Sequence, residues 1–570
     1  MGHARVVAGI FFWLCVQVGI SAPCEAIECK WAYAAPELGT SRIVIYEGKP
    51  PATSRNGATS SLAPVAWANF RDDTQNSGWG YLEVESSPNV TDELQAYAAG
   101  ALEAYLTRYL MEAQWENMFA HYCDNQAEFC TKLNDFLQKN LEYSYLNEKR
   151  LSVSDPYWNM VRLQMKQLHG LSDAFENATL DASQEFTNIT RALYFSLVGD
   201  ILDLEAALQR PEDANSLSLV PACSALIKLL WNNTDLYVGH DTWFLYKSML
   251  RIQKMYKFPW HYAPGDTGPD GVIPGHTITM SSYAGKLVSL DDFYLSSSGL
   301  AVTETSIENS NPDLWLLIDP EVAPLTWVRA MVATRLATSA REWVDIFAEK
   351  NSGTYNNQWM VIDYKLFQPG TAIVNDTLWI IEQMPGIIRQ KDVSDVLQKQ
   401  SYWPSYNIAY FDDIFAISGQ PARVAKYGDY YSYDKAPRAK IFRRAHTDIW
   451  NPRSMTAVMR YNDYTHDPYS RCNCTPPYNA AYAIMARYDL LDPQGKYDIP
   501  GMRRLPAGGI DTKFTTYEKF KKLQFVGVGA PTAYPLPFFK WSDSGFNVSH
   551  VGHPDMWDFA PVENVWGSCT

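Results

Sequence analysis

Cys223 is the residue of this sequence best placed for covalent chemistry. It heads an apolar run, Cys223-Ser-Ala-Leu-Ile-Lys-Leu-Leu230, directly after a polar, helix-breaking stretch over 209–216. That stretch reads as an exposed linker open to proteolysis. A cysteine freed as a new N-terminus carries its own base, because an α-amine titrates near about pH 8. Loss of the linker would also open a pocket in front of it. Physics permits this use of Cys223 without selecting it: on spacing alone, a buried structural thiol is the better account. Other hydrolytic signatures are absent, with no G-x-S-x-G elbow, H-E-x-x-H or P-loop. His446 and His466 each lie shortly before an acidic residue but lack metal-ligand spacing, so both are read as structural or surface residues.

The elements that must hold Cys223 follow from periodicity. Residues 92–121 carry apolar side chains at helical spacing, with Asp92 and Glu93 suited to the positive helix start. Helical pattern also covers 128–141 and about 189–208, and Asp155-Pro156 marks another helix start. After the linker, 223–230 and 235–240 flank a turn at Asn232-Asn233, which predicts a hairpin. Further strands are expected at 277–282, 299–307, 358–367 and 377–383, and helices at 324–350 and 393–400. Helices followed by many strands argue for an α+β fold, with antiparallel sheet covered by helices. The pattern leaves open whether this is one domain or two.

Composition sets the compartment. Arg5, an apolar run to about Ile20 and small residues at Ser21 and Ala22 read as a signal peptide over 1–26, cut at about 22–26. The run is short for a membrane span, and no later stretch of about twenty apolar residues follows. Sequons occur at Asn89, Asn177, Asn188, Asn232, Asn375 and Asn547, and at Asn473 with a cysteine in the middle. Of nine cysteines, Cys15 lies in the signal; Cys123 with Cys130 and Cys472 with Cys474 are expected short-loop disulfides; Cys24, Cys29 and Cys569 stay unassigned. The net charge of −15, with no basic tract, excludes nucleic acid as a partner. Near about pH 5 that charge approaches zero, which fits an acidic lumen.

Long strings carry a resemblance over most of the chain. They run from Val65-Ala-Trp-Ala-Asn through Cys223-Ser-Ala-Leu-Ile-Lys, Met249-Leu-Arg-Ile and Asp291-Asp-Phe-Tyr to Asn351-Ser-Gly-Thr-Tyr-Asn-Asn-Gln-Trp-Met360. Ser405-Tyr-Asn-Ile, Pro437-Arg-Ala-Lys-Ile-Phe442, Met459-Arg-Tyr-Asn-Asp463, His466-Asp-Pro468 and Gly508-Gly-Ile-Asp511 continue them. In these the chain resembles the phospholipase B-like family. The resemblance implies an N-terminal nucleophile hydrolase, an αββα sandwich of antiparallel sheets between helical layers. It implies self-cleavage at Ala222–Cys223 into chains 27–222, with the linker at 209–222, and 223–570, intertwined as one domain. Cys223 would be the nucleophile, its freed amine the base, Asn407 the oxyanion donor and Arg438 a cation that lowers the thiol pKa. His240 and Trp243 would line the site and Thr305 complete its polar wall. Ser306 stands where relatives often carry threonine.

The function so implied is release of acyl groups from phospholipid-type esters through an acyl-thioester, in the lysosome lumen or outside the cell, with no cofactor or metal. Amide hydrolysis of N-acyl substrates is the alternative enzyme. A non-catalytic lipid-binding glycoprotein is the alternative of another class. Expected partners are a lipid or other acyl-containing small molecule and the protein's own two chains, with homo-oligomers left open.

Overall fold

The computed structural model describes residues 28–51, 63–219, 223–266 and 268–569. The signal peptide, Cys24 and the Ala222 side of the expected cleavage site lie outside the described residues.

Two sheets stack face to face between helical layers, an α+β architecture. The larger comprises β1 (Cys29–Pro36), β2 (Ile43–Glu47), β3 (Ala66–Asp73), β4 (Trp79–Ser86), β7 (Arg251–Lys257), β8 (Thr277–Tyr283), β9 (Phe293–Ser296), β10 (Leu300–Ser306), β11 (Asn357–Asp363), β12 (Leu378–Met384) and β13 (Ile387–Asp392). Its order is β13-β12-β11-β10-β9-β8-β7-β4-β3-β1-β2. The smaller comprises β5 (Ser224–Leu229), β6 (Leu236–Leu245), β14 (Tyr402–Ser405), β15 (Ala507–Thr515), β16 (Val526–Val528) and the edge strand Val562–Glu563, in the order β14-β5-β6-β15-β16 and then the edge strand. Strand pairs are antiparallel except β4 with β7, which are parallel. That pair joins chain from before and after Cys223 in the middle of one sheet.

Alternation along the strands builds the layers. Ala225, Ile227 and Leu229 of β5 meet Ala301 of β10 and Met360 and Ile362 of β11 between the sheets. Leu226, on the other face of β5, packs under Ile441 and Phe442 of α6 (Pro437–Ala445) and Met455 and Met459 of α7 (Pro452–Met459). The outer face of the large sheet is covered by α1 (Asp92–Met118), α2 (Ala127–Leu151), α3 (Pro156–Phe175), α4 (Thr326–Leu336) and α5 (Ala340–Ala348). Asp155 caps α3 by accepting from the Tyr157 N–H, with Pro156 in the first turn. Helices α1 and α3 cross so closely that a Cβ on Gly100 would sit 1.9 Å from the Gln167 carbonyl oxygen. Among the described residues, no helix is long and apolar enough to cross a membrane.

Several expectations need revision. Four strands precede the first long helix, so the chain does not open on helices. The helical stretch at 189–208 breaks into Arg191–Ser196 and Val198–Ala207, and that at 324–350 into α4 and α5. The linker is not wholly exposed: Arg210 turns inward to donate to the Tyr122 carbonyl, Asp213 and Ser216, and Leu217 is buried. Glu205 holds the next turn, accepting from the Leu217 N–H at 2.9 Å and the Ser218 hydroxyl at 2.6 Å. The rest of the stretch is as expected, with Gln209, Pro211, Glu212, Ala214 and Ser218 exposed.

Disulfides join Cys123 to Cys130 and Cys472 to Cys474. A third joins Cys29 to Cys569, fastening β1 to the far end of the chain.

Candidate active site around Cys223

Cys223 precedes β5 with φ of +77°, the left-handed region that non-glycine residues rarely adopt. Such a conformation stores about 1–3 kcal/mol. Asn407, Tyr355, Leu290 and Asp292 also have positive φ. The Cys223 thiol is free and buried, and the Trp243 backbone N–H faces it.

Arg438 organises the near wall. It sits in the first turn of α6, after Pro437. Nη1 donates to the Cys223 carbonyl at 2.7 Å and to Ser224 Oγ at 3.2 Å, and Nη2 donates to Asn407 Oδ1 at 2.7 Å. The guanidinium lies 4.3 Å over the Trp243 ring. Trp243 Nε1 and Ser224 Oγ donate to the same Ile484 carbonyl, at 3.2 and 2.8 Å.

Asn407 comes from the turn after β14, whose Ser405 pairs with Ala225 of β5. Its Nδ2 donates to the Ser306 carbonyl at 2.8 Å and to Ser306 Oγ at 3.2 Å, and its backbone N–H to Thr305 Oγ1 at 3.4 Å. Thr305 Oγ1 lies 2.7 Å from Ser405 Oγ. The departure at Ser306 therefore falls inside the site. His240 stands opposite Ala225 on β6 and is fully buried. The fold thus brings Cys223, His240, Trp243, Thr305, Asn407 and Arg438 together from five separate stretches of chain.

Electrostatics differ from the sequence reading. Burial, reinforced by Glu304, pushes the Cys223 thiol well up, with Lys513 pulling the other way. Arg438, expected to lower the thiol pKa, is coupled to Cys223 by charge and donates to its carbonyl, while burial dominates the thiol. Burial, then Lys513, pushes His240 well down, so its resting ring is neutral. Below the site, Arg251 pairs with Asp291 and, at 2.5 Å, with Asp511; Lys513 pairs with Asp511 at 2.9 Å and Asp291 at 3.5 Å. Burial alone would raise Asp291, but Arg251 and Lys513 outweigh it and hold it ionised. This fully buried network ties β7 to β15, one sheet to the other.

The sequence reading did not single out Glu304, which lies in this cluster. Its carboxylate, the Cys223 sulfur and a His240 nitrogen lie within 4.8 Å of one another. A signal was available: Arg251, Glu304 and Asp511 are charged residues inside otherwise apolar or buried strands. The three donors of Cys223, His240 and Glu304 are close enough for a metal ion, but the buried cations Lys513 and Arg251 face the same histidine and oppose a divalent charge. No metal is assigned to them. His446 stacks on Tyr402, and His466 is exposed beside Asp463, both away from this cluster.

A cavity of about 300 Å³ lies beside the site, lined by Ser306 but not by Cys223, His240, Asn407 or Arg438. Asp203, Glu308, Tyr355, Arg423 and Tyr430 line it, and Glu212, Ser218 and Leu219 of the linker close one side. A smaller cavity shares Glu308, Tyr430 and Tyr431 and reaches Asn407 and Arg438. Arg503 pairs with Glu212 at 2.6 Å, holding the linker against the mouth.

The family profile described as Phospholipase B matches residues 66–564. The chain is 42% identical over 509 residues to the Homo sapiens protein named "Putative phospholipase B-like 2", covering 88% of this chain and 86% of that one. The proteins of the same name from Rattus norvegicus and Bos taurus are 42% identical over 510 residues and 40% over 557. The former alignment covers 88% of this chain and 86% of the relative, the latter 96% and 91%. A match of this length, spanning every strand of the site, means that the chain belongs to the phospholipase B family.

Proposed function

We propose that this protein is a self-cleaving N-terminal cysteine hydrolase that releases acyl groups from phospholipid-type esters. The observation that carries the reading is Cys223 itself: a free, buried thiol on strained backbone at the head of a central strand, its carbonyl gripped by Arg438. The four-layer stacking supports assignment to the N-terminal nucleophile hydrolases, and the family supports a lipid ester as substrate. Cleavage before Cys223 frees the amine that serves as base. The thiolate attacks the acyl carbonyl, a thioester forms, and water releases the acid. Asn407 supplies an N–H to the oxyanion by turning one hydrogen from Ser306 Oγ, the longer of its two contacts. The linker leaves the cavity mouth after cleavage, and the two chains stay together because β4 and β7 pair inside one sheet.

Amide hydrolysis remains the second reading, favoured by the chemistry of self-cleavage, which is itself attack of this thiol on an amide. Secretion or delivery to an acidic lumen follows from the signal sequence and the sequons. Asn89, Asn177, Asn188, Asn232, Asn375 and Asn547 are all exposed.

The test is a gel and an assay. Wild type should run as two fragments under reduction, the larger beginning at Cys223, and as one species without reductant, because Cys29 and Cys569 lie on opposite sides of the cut. Cys223→Ala should remain a single chain under both conditions and release no acid. Normal cleavage of that variant would falsify the nucleophile assignment. Matched ester and amide substrates at acidic pH decide between the two enzymes, and release from neither leaves the binding protein.

A further inference from the structure

The cavity beside the site carries a charge pattern that the catalytic steps leave unused. Three acids and two arginines line it: Asp203, Glu212, Glu308, Arg423 and Arg503. Glu308 pairs with Arg423, whose Nη2 also donates to the Tyr431 hydroxyl at 2.8 Å, and Glu212 pairs with Arg503 at 2.6 Å. Asp203 is the acid left over. Its carboxylate accepts from the Asn356 backbone N–H at 2.9 Å and from Asn356 Nδ2 at 2.8 Å, and no cation pairs with it among the described residues. Burial, with Asp200 adding to it, raises its carboxyl to about 7. The Tyr488 hydroxyl also lines the cavity. It is buried, faces Tyr430 and makes no well-formed hydrogen bond among the described residues. A largely buried carboxylate without a counter-ion and a buried hydroxyl without a partner each call for a ligand group.

We propose that this cavity is a subsite for a zwitterionic headgroup, in which Asp203 takes an ammonium and Arg423 and Arg503 take a phosphate joined to it by a short spacer. It rests on the acyl-hydrolase reading only in making that group part of the substrate. A volume of about 300 Å³ is at the small end of ligand sites, which run to roughly 1,000 Å³. It suits a headgroup and not a whole two-chain lipid. Charge argues against an acyl chain, which would strand Asp203 and Arg423 away from water. Tyr355, Tyr430, Tyr431 and Tyr488 line the same space, and tyrosine faces and hydroxyls accept an ammonium, primary or quaternary. A guanidinium has five N–H donors, and Arg423 gives one each to Glu308 and Tyr431, which leaves donors for a phosphate. The Glu212–Arg503 pair is exposed on both sides, so it is weak and a phosphate can take the carboxylate's place.

The subsite adjoins the reacting centre. Ser306, whose carbonyl accepts from Asn407, lines the cavity. Tyr430, Tyr488 and Glu308 of its wall are electrostatic neighbours of Arg438, as is Cys223. A lipid held by its headgroup here carries its ester linkage toward Arg438 and Cys223, so that contacts to a non-reacting part orient the reacting carbonyl. Headgroups that lack the amine leave Asp203 unpaired and bind less well.

The experiment is calorimetric titration of the protein as secreted, at neutral pH or just above, where Asp203 is ionised. The probes carry no acyl group: glycerophosphocholine, glycerophosphoethanolamine and glycerol 3-phosphate. The zwitterions should bind, and glycerol 3-phosphate should bind more weakly. Asp203→Asn keeps one acceptor toward Asn356. It should weaken both zwitterions by about 10–10²-fold, the factor of one charge-assisted contact, and leave glycerol 3-phosphate unchanged. Arg503→Gln, which removes a phosphate contact, should weaken all three. Failure of both zwitterions to bind, or wild-type zwitterion affinity in Asp203→Asn, overturns the proposal. Should Asp203→Asn fail to fold by melting, Arg503→Gln at its exposed position still decides: weaker binding of all three probes supports the subsite, and unchanged binding defeats it. Acyl release from phospholipid vesicles is the separate readout. Zwitterion binding without acyl release keeps the subsite and removes the hydrolase reading. Acyl release that ignores the headgroup, with no zwitterion binding, does the reverse.

Discussion

Replacing Arg438 by lysine tests the centre of the site without removing its charge. The guanidinium makes two short bonds at once, to the Cys223 carbonyl and to Asn407 Oδ1, both at 2.7 Å, while lying 4.3 Å over Trp243. A lysine ammonium is a point donor and reaches one of those acceptors. The substitution therefore forfeits one charge-assisted bond, about 1.5–3 kcal/mol, and leaves its buried acceptor unpaired. Loss of the planar stack adds about 0.5–1 kcal/mol. The sum is about 3 kcal/mol, on the order of 10² in a rate that depends on this geometry. Because Arg438 orients both the strained nucleophile and the oxyanion donor, most of this should appear in the reaction. Arg438→Lys should thus self-cleave and release acid about a hundredfold more slowly, with a lowered melting temperature. Arg443→Lys, at an exposed position of the same helix, is the control and should change neither. Cleavage and acyl release at wild-type rates in Arg438→Lys would refute the reasoning.

Asn407→Ala should keep its fold and, once fully cleaved and isolated, release acid about 10²–10³ more slowly, the loss expected for one oxyanion donor; equal rates would remove it from the site. Peptide mapping should find glycans at Asn89, Asn177, Asn188, Asn232, Asn375 and Asn547 and little at Asn473, although Asn473 is exposed, because the Cys472–Cys474 bridge ties its backbone on both sides. Stability should rise as pH falls from about 8 to about 5. Burial raises Glu148 to about 8, Glu382 to about 7 and Asp200 to about 6, so the folded state holds protons there that the unfolded chain has released. That stability is full below the unfolded carboxylate pKa and is lost as pH rises through the folded values. Below about pH 6.5 the depressed His446 and His553, at about 4 and 3, oppose it, because unfolding lets them take up protons. A melting temperature at pH 5 below that at pH 8 would contradict this balance.

Local pattern by itself determined much of this protein. Periodicity located α1, the Asp155-Pro156 start located α3, and a turn between two strand-like runs located the β5–β6 hairpin, because each depends on neighbours within a few residues. Spacing determined the short disulfides for the same reason, and the long family strings named the site residues. Tertiary structure decided what those residues touch. That Arg438 grips a carbonyl and not the thiol, that Cys29 reaches Cys569, and that Arg210 folds the linker inward are contacts between distant segments, which no local period encodes. Glu304 shows the physical reason most clearly. In sequence it is one acidic residue in a strand, and only the tertiary fold buries it within 4.8 Å of His240 and Cys223, where desolvation pushes its carboxyl well up.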